Sequence, residues 1–199
     1  MTLLDISLIL SAYLLGSISS AIVICRLAGL PDPRTAGSNN PGATNVLRLG
    51  SKKAAAFTLL GDMLKGLIPT LLAVQLNVTD IVLATTAFAA FVGHLYPVFF
   101  RFQGGKGVAT ALGVLLGMSW LVGGLTIITW VFCAFVTRIS SLSALIAFSI
   151  SPVYTYFVTA SAPLTLVMII ITAALFWRHS SNIKNLRAGT EGKIGDKKT

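Results

Sequence analysis

Two stretches of this chain set glycine-rich backbone beside a cation and neutral hydrogen-bond donors, and two more carry a buried charge pair or a histidine with neutral donors. In residues 32–48, DPRTAGSNNPGATNVLR, glycine and proline alternate with Ser, Thr and Asn. Gly37 and Gly42 free the backbone to turn several N–H groups toward one anion, Ser38, Asn40, Thr44 and Asn45 add side-chain donors, and Arg48 brings a positive charge. The plainer reading is a tight turn in which Thr44 or Asn45 caps the next helix, but the density of donors favours a site. In residues 93–110, GHLYPVFFRFQGGKGVAT, Lys106 stands among Gly104, Gly105 and Gly107 where an apolar segment begins. A helix N-terminus with an adjacent lysine suits an anion. It is not a Walker A loop, which needs Gly where Phe100 stands and Ser or Thr where Gly107 stands.

The third stretch, GDMLKG at 61–66, puts Asp62 and Lys65 three residues apart on one helical face. Asp62 lies about 14 Å along that helix from Lys53 at 1.5 Å per residue, so both charges sit below the headgroups of any membrane the helix crosses. Intramembrane ions mark function or lock helices together, and both readings stand. The fourth, RHSSNI at 178–183, follows the last apolar segment, and His179 and Asn182 share a face there. All four stretches have the chemistry of an anion pocket. They contain no carboxylate cluster for a two-metal site, and Cys25 and Cys133 offer no metal or disulfide spacing, so neither metal nor cofactor is expected.

The elements that carry these residues are apolar to a degree that excludes a soluble domain. Of 199 residues, 55% are hydrophobic and 11% charged, against roughly 25% charged in soluble proteins, and the mean hydropathy is +0.85. Apolar segments run at about 3–25, 54–76, 80–100, 107–119, 120–137, 139–160 and 162–178. They are too long and too uniform for barrel strands. The expected fold is therefore an all-α integral membrane domain spanning residues 1–199, with about seven transmembrane helices. The fourth segment is the short one, since a dozen residues rise only about 18 Å, and the first reads as a retained span because no basic region precedes it.

A net charge of +9 would suggest nucleic acid in a soluble chain. Here its placement matters more, and no nucleic acid partner is expected. With residue 1 outside, Arg26, Arg34, Arg48, Lys52 and Lys53 fall in the first inside loop, Arg101 and Lys106 in the second, Arg138 in the third, and Arg178 onward in an inside tail. Lys65 alone lies within a span. The positive-inside rule thus places the N-terminus outside, and the Gly-rich loops and C-terminus in the cytoplasm. The tail from about 184 to 199 is polar and basic, reads as mobile, and is attracted to lipid headgroups.

Together GSNNPGATNVLR (37–48), GDMLKG (61–66), GHLYPVFFRFQGGKGVAT (93–110) and RHSSNIKNLRAGTE (178–191) resemble the bacterial acyl-phosphate-dependent glycerol-3-phosphate acyltransferases, over nearly the whole chain. The resemblance implies a seven-helix inner-membrane enzyme with two substrates, acyl phosphate and glycerol 3-phosphate, and with lysophosphatidic acid and phosphate as products. It implies that Ser38, Arg48, Lys106, His179 and Asn182 line the phosphate pocket, with Gly42, Thr44 and Asn45 in its backbone cradle. Gly37, Asn40, Gly104, Gly105 and Gly107 join the binding set, and so does His94, in support of the Gly-rich loop or in catalysis. Ser38, Arg48, Lys106 and His179 are the expected catalytic group. Two positions depart from the pattern: Asn39 stands where Gly is frequent and Asn185 where Arg is.

An activated mixed anhydride needs alignment and charge stabilisation more than a strong base. The expected route is direct transfer with a substrate phosphate accepting the proton; a Ser38 nucleophile is the rival, without a Ser–His–Asp constellation. From another class, an anion or phosphoester transporter would show inverted repeats and a midplane site, and the sequence shows neither.

Overall fold

Long apolar runs leave the backbone no partner but itself, and the regular elements are all helices among residues 1–194, which the computed structural model describes. They are α1 (Leu3–Gly16), α2 (Ser20–Leu27), α3 (Ala43–Arg48), α4 (Lys52–Gln75), α5 (Asp80–Leu95) with a 3₁₀ turn at Val98–Phe100, α6 (Val108–Met118), α7 (Trp120–Thr137), α8 (Ser140–Thr159), α9 (Ala162–Arg178) and α10 (Ser180–Arg187). Each of the seven apolar segments has its helix, but they are not equivalent. Four helical stretches, α4, α5 with its 3₁₀ turn, α7 and α8, are long and apolar enough to cross a membrane. Two more candidates are bent pairs, α1 with α2 at 42° and α9 with α10 at 61°. With 11 residues, α6 rises only about 16 Å and packs inside the bundle.

Glycine brings these helices together. A Cβ on Gly113 of α6 would strike the Met63 carbonyl of α4, and one on Gly66 of α4 would strike the Thr110 carbonyl of α6. Gly117 lies similarly close to Leu67 and Thr70, so Gly113 and Gly117 make a G-x-x-x-G face on which the two backbones touch. Gly16 and Gly93 do the same for α1 and α5. Elsewhere Phe91, Leu115, Phe148, Met168 and Ile171 fill the core, while Phe132, Phe135, Phe157 and Leu166 point outward, as suits a hydrocarbon solvent. One methyl at Gly113 meets backbone that cannot turn aside. Gly113→Ala should cost about 1–3 kcal/mol of overpacking and lower the thermal midpoint in detergent. Gly124→Ala, with nothing within 4 Å of its would-be Cβ, should leave that midpoint unchanged; equal midpoints for the two variants would contradict this packing.

Carbonyls left without a helical donor are satisfied by neighbours. Pro152 leaves the Phe148 carbonyl without its helical donor, and Thr172 of α9 donates to it at 2.9 Å. At the α1–α2 break, Lys65 of α4 donates to the Ile18 carbonyl at 2.8 Å.

The tail differs from the mobile segment expected from 184 onward. Its first residues complete α10, the Glu191 carboxylate accepts hydrogen bonds from Ser141, Asn182 and Asn185, and the Ile194 N–H donates to the Arg138 carbonyl at 2.7 Å. These contacts run across the bundle end as far as Ile194; residues 195–199 lie outside those described.

Candidate active site

The first loop is organised by Asn45. This side chain is buried, its Oδ1 accepts the Ser38 N–H at 2.8 Å, and its Nδ2 donates to the carbonyls of Pro33 and Ala36. Neither Asn45 nor Thr44 caps the next helix: Gly42 is the N-cap of α3, and Asn45 lies one turn in. Asn45 is thus a brace for the loop rather than a donor for a ligand, because both its N–H groups and one of its two acceptor positions are taken. Gly37 has φ +65°, and a Cβ there would run into the Asn45 amide, so glycine is required twice over. Asn39 takes φ +56°, a conformation that Asn tolerates better than other residues with a Cβ; this is how it replaces glycine. Asn40 gives its carbonyl to the Gly42 N–H. Ser38, Thr44 and Arg48 are exposed on the loop surface.

The Gly-rich loop is pressed onto α5 and the first loop. Gly105 donates to the His94 carbonyl at 3.2 Å; a Cβ on Gly104 would enter that carbonyl, and one on Gly105 would enter the His94 ring and approach the Pro41 carbonyl to 2.7 Å. Gly107, at φ +90°, caps α6 against the Phe91 ring. Arg178 closes the loop from the other side, donating to the carbonyls of Gly105 (3.1 Å) and Gly104 (2.8 Å). Arg178 thereby clamps the loop.

Lys106 is held where these pieces meet. Its Nζ donates to Asn182 Oδ1, and Asn182 Nδ2 donates to Glu191 at 2.6 Å. Glu191 also takes the Ser141 hydroxyl at 2.7 Å. The Arg48 guanidinium comes within 3.4 Å of the would-be Cβ of Gly192, so the tail bridges the first loop to the Lys106 cluster. His179 is buried and bound through Nδ1 to the Leu175 carbonyl at 2.8 Å; since a carbonyl only accepts, Nδ1 carries the proton and a neutral ring keeps its lone pair on Nε2. Asn185, the other departure from the pattern, donates to Glu191 at 3.3 Å.

Burial lowers the Lys106 ammonium to about 8, with Glu191 raising it and Arg48 and Arg178 lowering it further. Burial pushes the Glu191 carboxyl up, but hydrogen bonds from Ser141, Asn182 and Asn185 together with the charge of Lys106 take it below its ordinary value. In the unliganded protein, the Lys106 charge is therefore present below about pH 8 and lost above it. Turnover that uses this charge has a kcat/KM that falls on the alkaline side, since that ratio reports the free enzyme. Glu191→Gln removes the main influence raising Lys106, so the alkaline limb should move to lower pH; a limb that stays put would disconnect Lys106 from it.

Asp62 and Lys65 pair at 2.9 Å in the interior, and the same Asp62 oxygen lies 3.6 Å from His94 Nδ1. They do not join the loops directly. His94 connects them to the site, with one ring edge toward Asp62 and the other against Gly105.

A family model described as glycerol-3-phosphate acyltransferase matches residues 6–189. The chain belongs to this family. Glycerol-3-phosphate acyltransferases of Thioalkalivibrio sulfidiphilus (55% identical over 195 residues, 98% of this chain and 96% of the relative) and Methylococcus capsulatus (56% over 187 residues, 94% of each) are similar to it. So are two crystal structures of PlsY (YgiH), an integral membrane glycerol 3-phosphate acyltransferase. Its glycerol 3-phosphate form aligns with TM-score 0.92 at 40% identity over 96% of both chains, and its lysophosphatidic acid form with 0.89 at 38% identity over 96% of this chain and 95% of that one.

This acyltransferase is thus an all-α integral membrane enzyme, and the transporter reading is set aside. Sequence reasoning missed Glu191, Ser141 and Arg178 as parts of the constellation. Glu191 had a signal, being the sole glutamate of the chain and set in a basic tail. Ser141 had none, since serine at the start of an apolar helix reads as a cap.

Proposed function

We propose that this acyltransferase moves a fatty acyl group from acyl phosphate onto glycerol 3-phosphate, giving 1-acyl-glycerol 3-phosphate and inorganic phosphate at the cytoplasmic face of the bacterial inner membrane. The observation that carries the reading is the Lys106 cluster: an oriented ammonium, with Arg48 and Arg178 in its electrostatic surroundings, between two loops built from glycine backbone. Such a site neutralises phosphate and the charge that develops on a leaving phosphate. The glycerol 3-phosphate and lysophosphatidic acid forms of PlsY support the acceptor and the product. The side is supported by the gathering of Arg48, Lys106, Arg138 and Arg178 at one end of the bundle.

In this mechanism the glycerol hydroxyl attacks the acyl carbonyl, the bond from that carbon to the phosphate oxygen breaks, and phosphate departs with the hydroxyl proton on one of its oxygens. Lys106 and Arg48 hold the phosphates, Asn182 aims Lys106, and His179 Nε2 accepts a hydrogen bond from the attacking hydroxyl. No strong base is required, because the donor is already activated. His94 is held with Nδ1 toward Asp62 and Nε2 against Gly105, and supports the Gly-rich loop. Ser38 is a binding group rather than a nucleophile: its hydroxyl has no hydrogen-bond partner among the described residues, and its N–H is held by Asn45.

Better-known acyltransferases attack a thioester with a His and an Asp five positions later. Here Phe99 follows His94 at that spacing and Lys184 follows His179. The carboxylate nearest a histidine, Asp62, is shared with Lys65 in the buried interior. Purified protein should form product from palmitoyl phosphate and glycerol 3-phosphate and none above background from palmitoyl-CoA; comparable rates with both donors would refute the assignment.

A further inference from the structure

A polar cavity of about 430 Å³ opens between the first loop and the 3₁₀ turn, lined by Arg34, Thr35, Phe99, Phe100, Arg101 and Gln103. It shares no lining residue with the Lys106 cluster. Asp32 fixes the Arg34 guanidinium, accepting from Nε at 3.0 Å and from Nη2 at 2.6 Å. Nη1 is left for another acceptor, and among the described residues neither Nη1 nor Arg101 has a hydrogen-bonded partner. Arg101 and Phe102 are two successive non-glycine residues with left-handed backbone, φ +56° and +57°, held by the Pro97 carbonyl, which accepts the N–H groups of Phe100 and Phe102 at 3.0 Å. Strain of this kind is kept where the surroundings hold it for a purpose. Here it turns Arg101 out while leaving Phe99 and Phe102 60% and 56% exposed.

Two aromatic rings exposed where a membrane helix ends are at home at the boundary of headgroups and acyl chains. A cation pair beside them suits the layer of lipid phosphates. Asp32 cancels one of the two arginine charges, so the cavity carries a single net positive charge; this matches a singly charged phosphodiester better than a doubly charged phosphomonoester.

We propose that this cavity is a peripheral binding site for the phosphodiester headgroup of an anionic diacyl phospholipid of the surrounding membrane. Arg34 and Arg101 take the phosphate, Thr35 and Gln103 offer hydrogen bonds to its glycerol side, and Phe99 and Phe102 rest among the first acyl carbons. Bound lipid then ties residues 98–103, and with them the neighbouring Gly-rich loop, to the membrane surface. This site is independent of the acyl donor assigned above, because it uses none of the residues placed around Lys106.

The test is lipid selectivity at the cavity. With Phe99→Trp as a reporter in vesicles, fluorescence attributable to the new tryptophan should be quenched by brominated phosphatidylglycerol with about fivefold preference over brominated phosphatidylcholine. Arg101→Gln on that background should bring the two lipids to parity, Arg101→Lys should keep most of the preference, and excess inorganic phosphate should not displace the lipid. Spin-labelled versions of the two lipids, compared on the unaltered protein and on Arg101→Gln alone, give the same readout without a new tryptophan. Equal association of the two lipids with the unaltered protein, a preference that survives Arg101→Gln, or displacement by inorganic phosphate would each overturn the proposal.

Discussion

Lys106→Ala is expected to lower kcat/KM for acyl transfer by roughly 10²–10³-fold, the range for removing one preorganised charge from a transition state, with little change in the thermal midpoint. The side chain makes one structural hydrogen bond, to Asn182, and Asn182 and Glu191 remain bonded to each other and to Ser141 without it. What is lost is the ammonium between the Gly-rich loop and the tail. Lys106→Arg should fail almost as badly, because a planar fork does not fit where Gly104, Gly105 and Gly107 pack against backbone and rings. Arg48→Ala, removing the cation brought in by the first loop, should cost roughly 10²-fold on the same reasoning. Steady-state rates at saturating and limiting glycerol 3-phosphate, with a thermal scan of each variant, decide the matter, and near-normal turnover in Lys106→Ala or Arg48→Ala would remove that residue from the mechanism.

Gly105→Ala is expected to cost roughly 10²-fold in kcat/KM, as a displacement of about 1 Å in a positioning element does. The added methyl would meet the His94 ring and the Pro41 carbonyl. Neither gives way easily: His94 is buried beside Asp62, and Pro41 is backbone of the first loop. The Gly-rich loop must therefore shift, straining the hydrogen bonds from Arg178 to the carbonyls of Gly104 and Gly105 and moving Lys106 with it. The loss should appear in kcat/KM while far-ultraviolet circular dichroism stays that of the parent. A rate within about twofold of the parent would mean that the loop is softer than its contacts imply.

Much of this was legible in the chain. The apolar runs of about 20 residues fix helices because hydrocarbon offers a backbone no other partner, and the sorting of Lys and Arg along the loops is the pattern on which the proposed orientation rests. Lys106 and Arg48 stood out because a cation among glycines has few purposes beyond holding an anion. Asn45 was read as a donor for that anion, yet it proves to be the brace of its own loop. Both roles use the same amide, and only the position of Pro33, Ala36 and Ser38 around it distinguishes them.

By itself, the sequence determined the class of fold and the number of apolar segments, because each depends on residue type and local spacing. The tertiary structure alone decided which segments bend or fall short of a span, since the break near Ile18 is tolerated through the Lys65 ammonium of another helix. It also decided the company that Lys106 keeps. Glu191 lies 85 positions beyond it and Ser141 35 beyond, and a hydrogen-bonded chain across such separations exists only once α8, α10 and the tail have packed onto one end of the bundle.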